Sequence, residues 1–149
     1  MHYQKILPPT FFFIAVVLMP VLHFVFPLSR YIPWPWNITA ILPIAAGLIL
    51  NLLADKALKI HQTTVRPFQE STALVTNGVF CLSRNPMYLG MVLILTGLAL
   101  FLGSITPWLI VILFVIVIKN IFIKAEEARL EQKFRPLWEV YKQKVPRWI

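Results

Sequence analysis

Residues 85–118 read NPMYLGMVLILTGLALFLGSITPWLIVILFVIVI, without one charged side chain. A membrane-spanning helix needs about 17–25 apolar residues. The stretch is long enough for two short spans and no more. Gly103-Ser104 and Pro107 supply the break between them. Residues 86–102 and 104–123 are therefore expected as the third and fourth helices. Two apolar segments precede them, at about 10–26, interrupted by Pro20, and at about 38–54. The expected fold is all-α: a polytopic membrane protein with about four transmembrane helices and a cytoplasmic C-terminal helical tail.

Composition supports that reading. The chain has 149 residues, 58% hydrophobic and 13% charged, with a mean hydropathy of +0.74. Soluble domains run at about 45–50% apolar and about 25% charged. One domain, residues 1–149, is expected. The single cysteine, Cys81, excludes an intrachain disulfide and any multi-cysteine metal site. His2, His23 and His61 lie far apart without ligand spacing, so no metal is expected. The net charge of +8 raises the question of nucleic acid. The basic residues flank apolar runs instead of forming a stripe interleaved with aromatics, so none is expected.

The placement of lysine and arginine predicts topology. Lys5 and the apolar run after it resemble a signal peptide, but no small-residue cleavage site follows. A Trp- and Tyr-rich stretch at 27–36 follows instead, suited to an interfacial belt. That loop holds Arg30 alone, and the turn at Gly103 holds no cation. Lys56, Lys59, Arg66 and Arg84 lie between helices two and three, and most of the rest follow Lys119. By the positive-inside rule both termini and the central loop face the cytoplasm. A short chain without sorting signals fits a prokaryotic plasma membrane.

In the tail, Ala125, Ala128, Leu130, Phe134, Leu137 and Tyr141 recur at helical spacing. The tail should extend helix four out of the membrane and break near Pro136. Residues 145–149 should end it as an interfacial anchor.

Three segments hold residues able to do chemistry. Asn85-Pro86 joins a strong N-cap to the residue favoured at the first helical position. The first turn then offers the free N–H groups of Met87, Tyr88 and Leu89 to an anion. Arg84 adds a cation, Tyr88 a ring and hydroxyl, and Gly90 room for close approach. The plainer alternative is a helix start at a membrane surface. Glu126 and Glu127 point about 100° apart, so one can face a site and the other solvent. A carboxylate there can accept from ribose hydroxyls or an amine, or attract a sulfonium. The alternative is a solvated face paired with Lys124, Arg129 or Lys133. In the loop at 72–80, Leu74, Val75 and Phe80 can bound an aromatic ligand, beside a tight turn at Asn77-Gly78. The alternative is a loop packed on the membrane surface.

Other polar residues read more plainly. Asp55 and Lys56 close helix two, while His23 and Asn51 suit interhelical hydrogen bonds. Cys81 has no activating neighbours and reads as structural. Lys119 either snorkels or meets a substrate carboxylate.

Taken together, the pattern Arg-(His/Asn)-Pro-x-Tyr-x-Gly at 84–90, a membrane helix pair, and then Glu126-Glu127 resembles one group. This is the isoprenylcysteine carboxyl methyltransferase and phospholipid methyltransferase superfamily of integral membrane enzymes. The resemblance covers about residues 63–149. It implies S-adenosylmethionine as cofactor, bound on the cytoplasmic side, and methyl transfer to a lipophilic acceptor in the bilayer. Carboxyl O-methylation of a prenylated acceptor is the implied type. It further implies cofactor contacts from Thr72, Leu74 and Val75, from Phe80, and from Asn85, Pro86, Met87 and Tyr88, with Glu126 on the helix-four side. Arg84, Gly90 and Glu127 flank these and are expected in the same site. Three positions depart from the pattern. Asn85 stands where the carboxyl methyltransferases have His, and Phe80 stands for a commoner Tyr. Phe122 occupies the place of a substrate-contacting Arg, leaving Lys119 as the candidate substrate contact.

Two rival readings are a small four-helix transporter and a non-catalytic structural membrane protein. A transporter needs an ionisable residue at mid-membrane, and the predicted spans hold no carboxylate. A structural role leaves two polar motifs on one expected face unexplained.

Overall fold

The computed structural model describes residues 7–26, 28–29, 31–63 and 71–149. The topology signals at Lys5, Arg30 and Arg66, and His2 with them, lie outside the described residues. The elements are α1 (Pro8–Val25), a 3-10 turn (Trp36–Ala40) leading into α2 (Ile41–Ile60), and a second 3-10 turn (Gly78–Cys81). Then follow α3 (Pro86–Leu102), α4 (Thr106–Val117), a π-helical segment (Ile118–Ile123) and α5 (Lys124–Lys144). The described residues form no β-strand.

Three helical runs, Pro8–Val25, Trp36–Ile60 and Thr106–Lys144, are long and apolar enough to cross a membrane, and α3 is a shorter apolar helix. Their outward faces carry Phe24, Leu42, Leu52, Leu109 and Ile112, all exposed. An exposed apolar surface of that extent is stable against lipid and not against water.

Local chemistry sets the ends. Proline stands in the first turn of α1, α3 and α4, where its missing N–H costs nothing. The bounds of α3 are those expected. Gly103 ends it at φ +69, and a Cβ there would lie 2.7 Å from the Ile32 carbonyl oxygen. Tyr31 N–H donates to the Gly103 carbonyl at 3.0 Å, seating the aromatic loop on this turn. Helix α2 runs past the expected end at 54, and an Asp55–Lys59 pair of 2.6 Å lies along its extra turn. That exposed pair contributes only about 0.3–0.5 kcal/mol.

The helices pack through small residues on one side and aromatics on the other. Gly90 on α3 faces Gly47 and Asn51 on α2. A Cβ on Gly90 would lie 2.7 Å from both the Gly47 carbonyl oxygen and Asn51 Nδ2. Close backbone approach of this kind is how membrane helices gain van der Waals contact. Of the two uses expected of Gly90, approach of a backbone or of a ligand, the structure shows the first, and Gly90 does not line the cavity. On the other side Met19, Leu95, Ala99, Phe114, Ile118 and Phe122 form the main core. Phe11 meets Phe122 edge-on, with centroids 5.6 Å apart. His23 Nδ1 lies 2.7 Å from Ser104 Oγ, so this histidine, expected to bond between helices, ties α1 to the turn between α3 and α4.

Helix α4 passes without a break through the π segment into α5. In this wide turn Ile118, Phe122 and Ile123 are buried, while Lys119, Asn120 and Ile121 stand on the outer arc. The tail breaks where expected, as a kink at Phe134 (φ −121, ψ 28). Pro136 removes a donor and crowds the preceding turn. The helix resumes to Lys144.

Candidate functional site

At the charged end of the helices lies a cavity of about 850 Å³. Its walls come from the start of α1, the loop at 71–75, Phe80, the segment 84–88, and α5. Segments that are far apart in sequence thus meet around one space, because the α3–α4 hairpin returns the chain to the end from which it left.

Tyr88 and Glu126 define the inner wall. The Tyr88 hydroxyl donates to Glu126 Oε1 at 2.8 Å. Burial pushes the Glu126 carboxyl up to about 7, against the lowering effect of the Tyr88 bond and of Arg129. A buried carboxylate with one hydrogen bond keeps lone pairs for further donors.

Glu127 departs from the solvated-face alternative and lines the cavity. It does not face solvent and is 8% exposed. Arg147 Nε donates to its Oε1 at 3.0 Å, and Arg147 Nη2 to its Oε2 at 2.6 Å. Arg84 Nη1 stands 3.3 Å from Oε1. Its partners are thus arginines far off in sequence and not the neighbouring cations of α5, because both glutamates sit on the inward face of the helix.

Arg84 lies over the Trp138 ring, 5.5 Å from its centroid. Its Nε and Nη1 are buried without a hydrogen bond, as is Trp138 Nε1. These are unmet donors in the cavity wall, and burying such groups without partners is costly.

Asn85 corrects an expectation. It makes no side-chain cap on α3. Its Nδ2 donates instead to the Arg147 carbonyl at 3.1 Å, and Ser83 Oγ donates to the same oxygen at 3.2 Å. Arg84 N–H donates to the Pro146 carbonyl at 3.0 Å. The chain end, expected as an interfacial anchor, is a strap laid across residues 83–85. The Arg147 carbonyl thus takes the asparagine amide, and the side chain makes no cap.

The remaining expected residues divide. Leu74, Val75, Phe80, Pro86 and Met87 line the cavity, forming an apolar wall. The Tyr141 hydroxyl donates to the Phe80 carbonyl at 2.6 Å, and burial pushes that phenol well above its usual range. Thr72 does not line the cavity. Its N–H donates to Thr63 Oγ1 and its hydroxyl to the Gln62 carbonyl, bracing the loop. Lys119 is exposed on the outer arc of the π segment and away from the cavity. Phe122, where the resemblance puts an arginine, is 1% exposed in the helix core.

Sequence reasoning missed Arg147, Ser83, Trp138 and the start of α1. Trp138 stands one helical turn from Phe134 and Tyr141 and was open to discovery by spacing. Arg147 carries no local signal, since its partner lies across the strap.

The model of a family described as phospholipid methyltransferase matches residues 36–136, about two thirds of the chain. The match includes 84–88 and both glutamates, and it extends N-terminally beyond the residues that carried the resemblance. An uncharacterized protein of Haemophilus influenzae is 48% identical over 63 residues, 42% of this chain and 100% of that protein. No solved structure matches.

Proposed function

We propose that this chain, which belongs to the phospholipid methyltransferase family, uses S-adenosylmethionine to methylate a lipophilic acceptor held in the bilayer. Membership makes it a multi-pass membrane methyltransferase; the methyl donor, the acceptor and the residues that hold them are our reading. The observation that carries it is the cavity, which sets a carboxylate, unmet cationic donors and an apolar wall around one space.

The residues present fit the donor. Leu74, Val75, Phe80 and Met87 offer an apolar slot for a purine. Glu126, bonded to Tyr88, has acceptor capacity left for ribose hydroxyls. Arg84 and Trp138 stand in the cavity wall with buried, unmet donors, and a cation there is matched to a carboxylate. The bound donor supplies an activated methyl on sulfonium, and the protein contributes orientation. Holding two reactants at attack geometry is worth about 7–11 kcal/mol. Pro8, Pro9 and Met91 at the cavity wall adjoin the lipid-facing surface of α1, which suits lateral entry of an apolar acceptor.

The acceptor is left as a class. Neither Phe122, which is packed in the core, nor Lys119, which is off the cavity, supports a contact to a prenylcysteine carboxylate. A carboxylate acceptor needs no base. An ammonium acceptor would need one, and Glu126, titrating near neutrality, is a candidate in the cavity wall. We read the cavity, both termini and the tail as cytoplasmic, and the membrane as a prokaryotic plasma membrane.

Titration of the purified chain in detergent with S-adenosylmethionine or its demethylated product tests the reading. Saturable binding that is lost in Glu126→Ala and Tyr88→Ala is expected. A folded protein that binds neither ligand overturns it.

A further inference from the structure

The family match ends at residue 136, yet the strap beyond it holds Asn85 and Glu127 of the cavity wall. Arg147 grips Glu127 with two prongs, Nε to Oε1 at 3.0 Å and Nη2 to Oε2 at 2.6 Å. A pair of this kind occupies both carboxylate oxygens in one plane. Arg84 is left 3.3 Å from Oε1, off hydrogen-bond geometry, with Nε and Nη1 unmet. Its side chain is only 8% exposed, and the Trp138 ring and the Pro146 carbonyl fix its place. Around Glu127 there are thus two guanidinium charges against one carboxylate. The surplus charge sits on the arginine that faces the cavity.

We propose that Arg147 is a positioning residue: by satisfying Glu127, it keeps Arg84, which lies over the Trp138 ring, available for the carboxylate end of the methyl donor. This rests on the methyl-donor reading of the cavity. Without Arg147, the buried Glu127 charge would draw Arg84 onto itself, since an unpaired buried carboxylate is strongly disfavoured. The chain's last residues would then control affinity for one end of the ligand without touching it.

The test is calorimetric titration of the full chain in detergent with two ligands, S-adenosylhomocysteine and 5′-methylthioadenosine. The second lacks the amino-acid end. Arg147→Gln should weaken S-adenosylhomocysteine by about tenfold, the size of a lost charge-assisted bond, and leave 5′-methylthioadenosine within about twofold. Adding Glu127→Gln should restore most of the loss, because the charge that captures Arg84 is gone. A strap that merely holds the fold would show no such rescue. Thermal unfolding reports whether each variant is folded. If the glutamine variant is not, Arg147→Lys keeps the charge without the two-pronged geometry and should show the same ligand-selective loss. Equal losses for both ligands, no loss, or no rescue overturns the inference while leaving the cavity reading standing. Failure of the unaltered chain to bind either ligand overturns both.

Discussion

The Tyr88 hydroxyl meets Glu126 Oε1 at 2.8 Å, joining the first turn of α3 to the first turn of α5. Everything between them is the apolar hairpin, so this bond closes a loop made of membrane helices. It also leaves Glu126 as a half-buried carboxylate with one strong donor. Tyr88→Phe removes that donor and keeps the ring. Losing a hydrogen bond to a buried charged group costs about 1.5–3 kcal/mol. We expect a loss of stability of that order in denaturant unfolding near pH 8, where Glu126 is ionised. The loss should shrink near pH 5, where it is protonated.

The same carboxyl gives the protein a pH dependence of definite sign. Its value in the fold is about 7, against 4.5 in the free side chain. The folded state therefore holds this proton more tightly than the unfolded chain does. Its contribution to stability is complete below pH 4.5 and is lost as pH rises through 7. Binding to hydroxyl donors runs the other way, since the ionised form is the better acceptor. The competent fraction grows about tenfold between pH 6 and pH 8 for a group titrating at 7. Affinity for S-adenosylhomocysteine should rise about tenfold over that interval in wild type, and Glu126→Gln should flatten the profile. An unchanged slope in Glu126→Gln would assign the titration to another group.

Gly90 distinguishes packing from binding. Its absent Cβ lets α2 and α3 approach, and Gly90→Ala would bring that atom within 2.7 Å of the Gly47 carbonyl oxygen. Overpacking of this kind costs about 1–3 kcal/mol. Thermal unfolding should show the loss, while the folded fraction binds S-adenosylhomocysteine within about twofold of wild type. A large drop in affinity at full stability would return Gly90 to the ligand site.

What was legible in the sequence follows from range. The third helix was bounded to the residue because Pro86 and Gly103 are local signals with steric causes. The break near Pro136 was legible for the same reason. Leu74, Val75, Phe80, Met87 and Tyr88, singled out from the loop at 72–80 and the helix start at 85–90, all line the cavity. The errors lie where a side chain chose a distant partner. Asn85 has the chemistry of a cap, but its amide nitrogen donates to the Arg147 carbonyl and its side chain makes no cap bond on α3. Glu127 has the chemistry of a solvated face, but two arginines reach it from outside its helix. Lys119 was offered as a substrate contact because Phe122 stands where the resemblance puts an arginine, but the π segment sets it on the exposed arc and off the cavity.

Lys119 supplies the last expectation. Had the chain continued as regular α-helix through 118–123, Lys119 would share a face with Ile123, which is buried. The wide π turn instead groups Ile118 with Phe122 and Ile123 and leaves Lys119 on the outer arc. From there a long side chain can carry its charge toward the headgroups, but the cavity lies on the other side of the helix. Lys119→Ala should therefore leave transfer of labelled methyl to membrane lipid extracts within about twofold of wild type, a difference of less than 0.5 kcal/mol in the barrier. Arg84→Ala, removed from the cavity wall itself, should lower the same rate by tenfold or more, about 1.4 kcal/mol. The reverse order of effects would place the acceptor on the outer face of the π segment and move the site of chemistry with it.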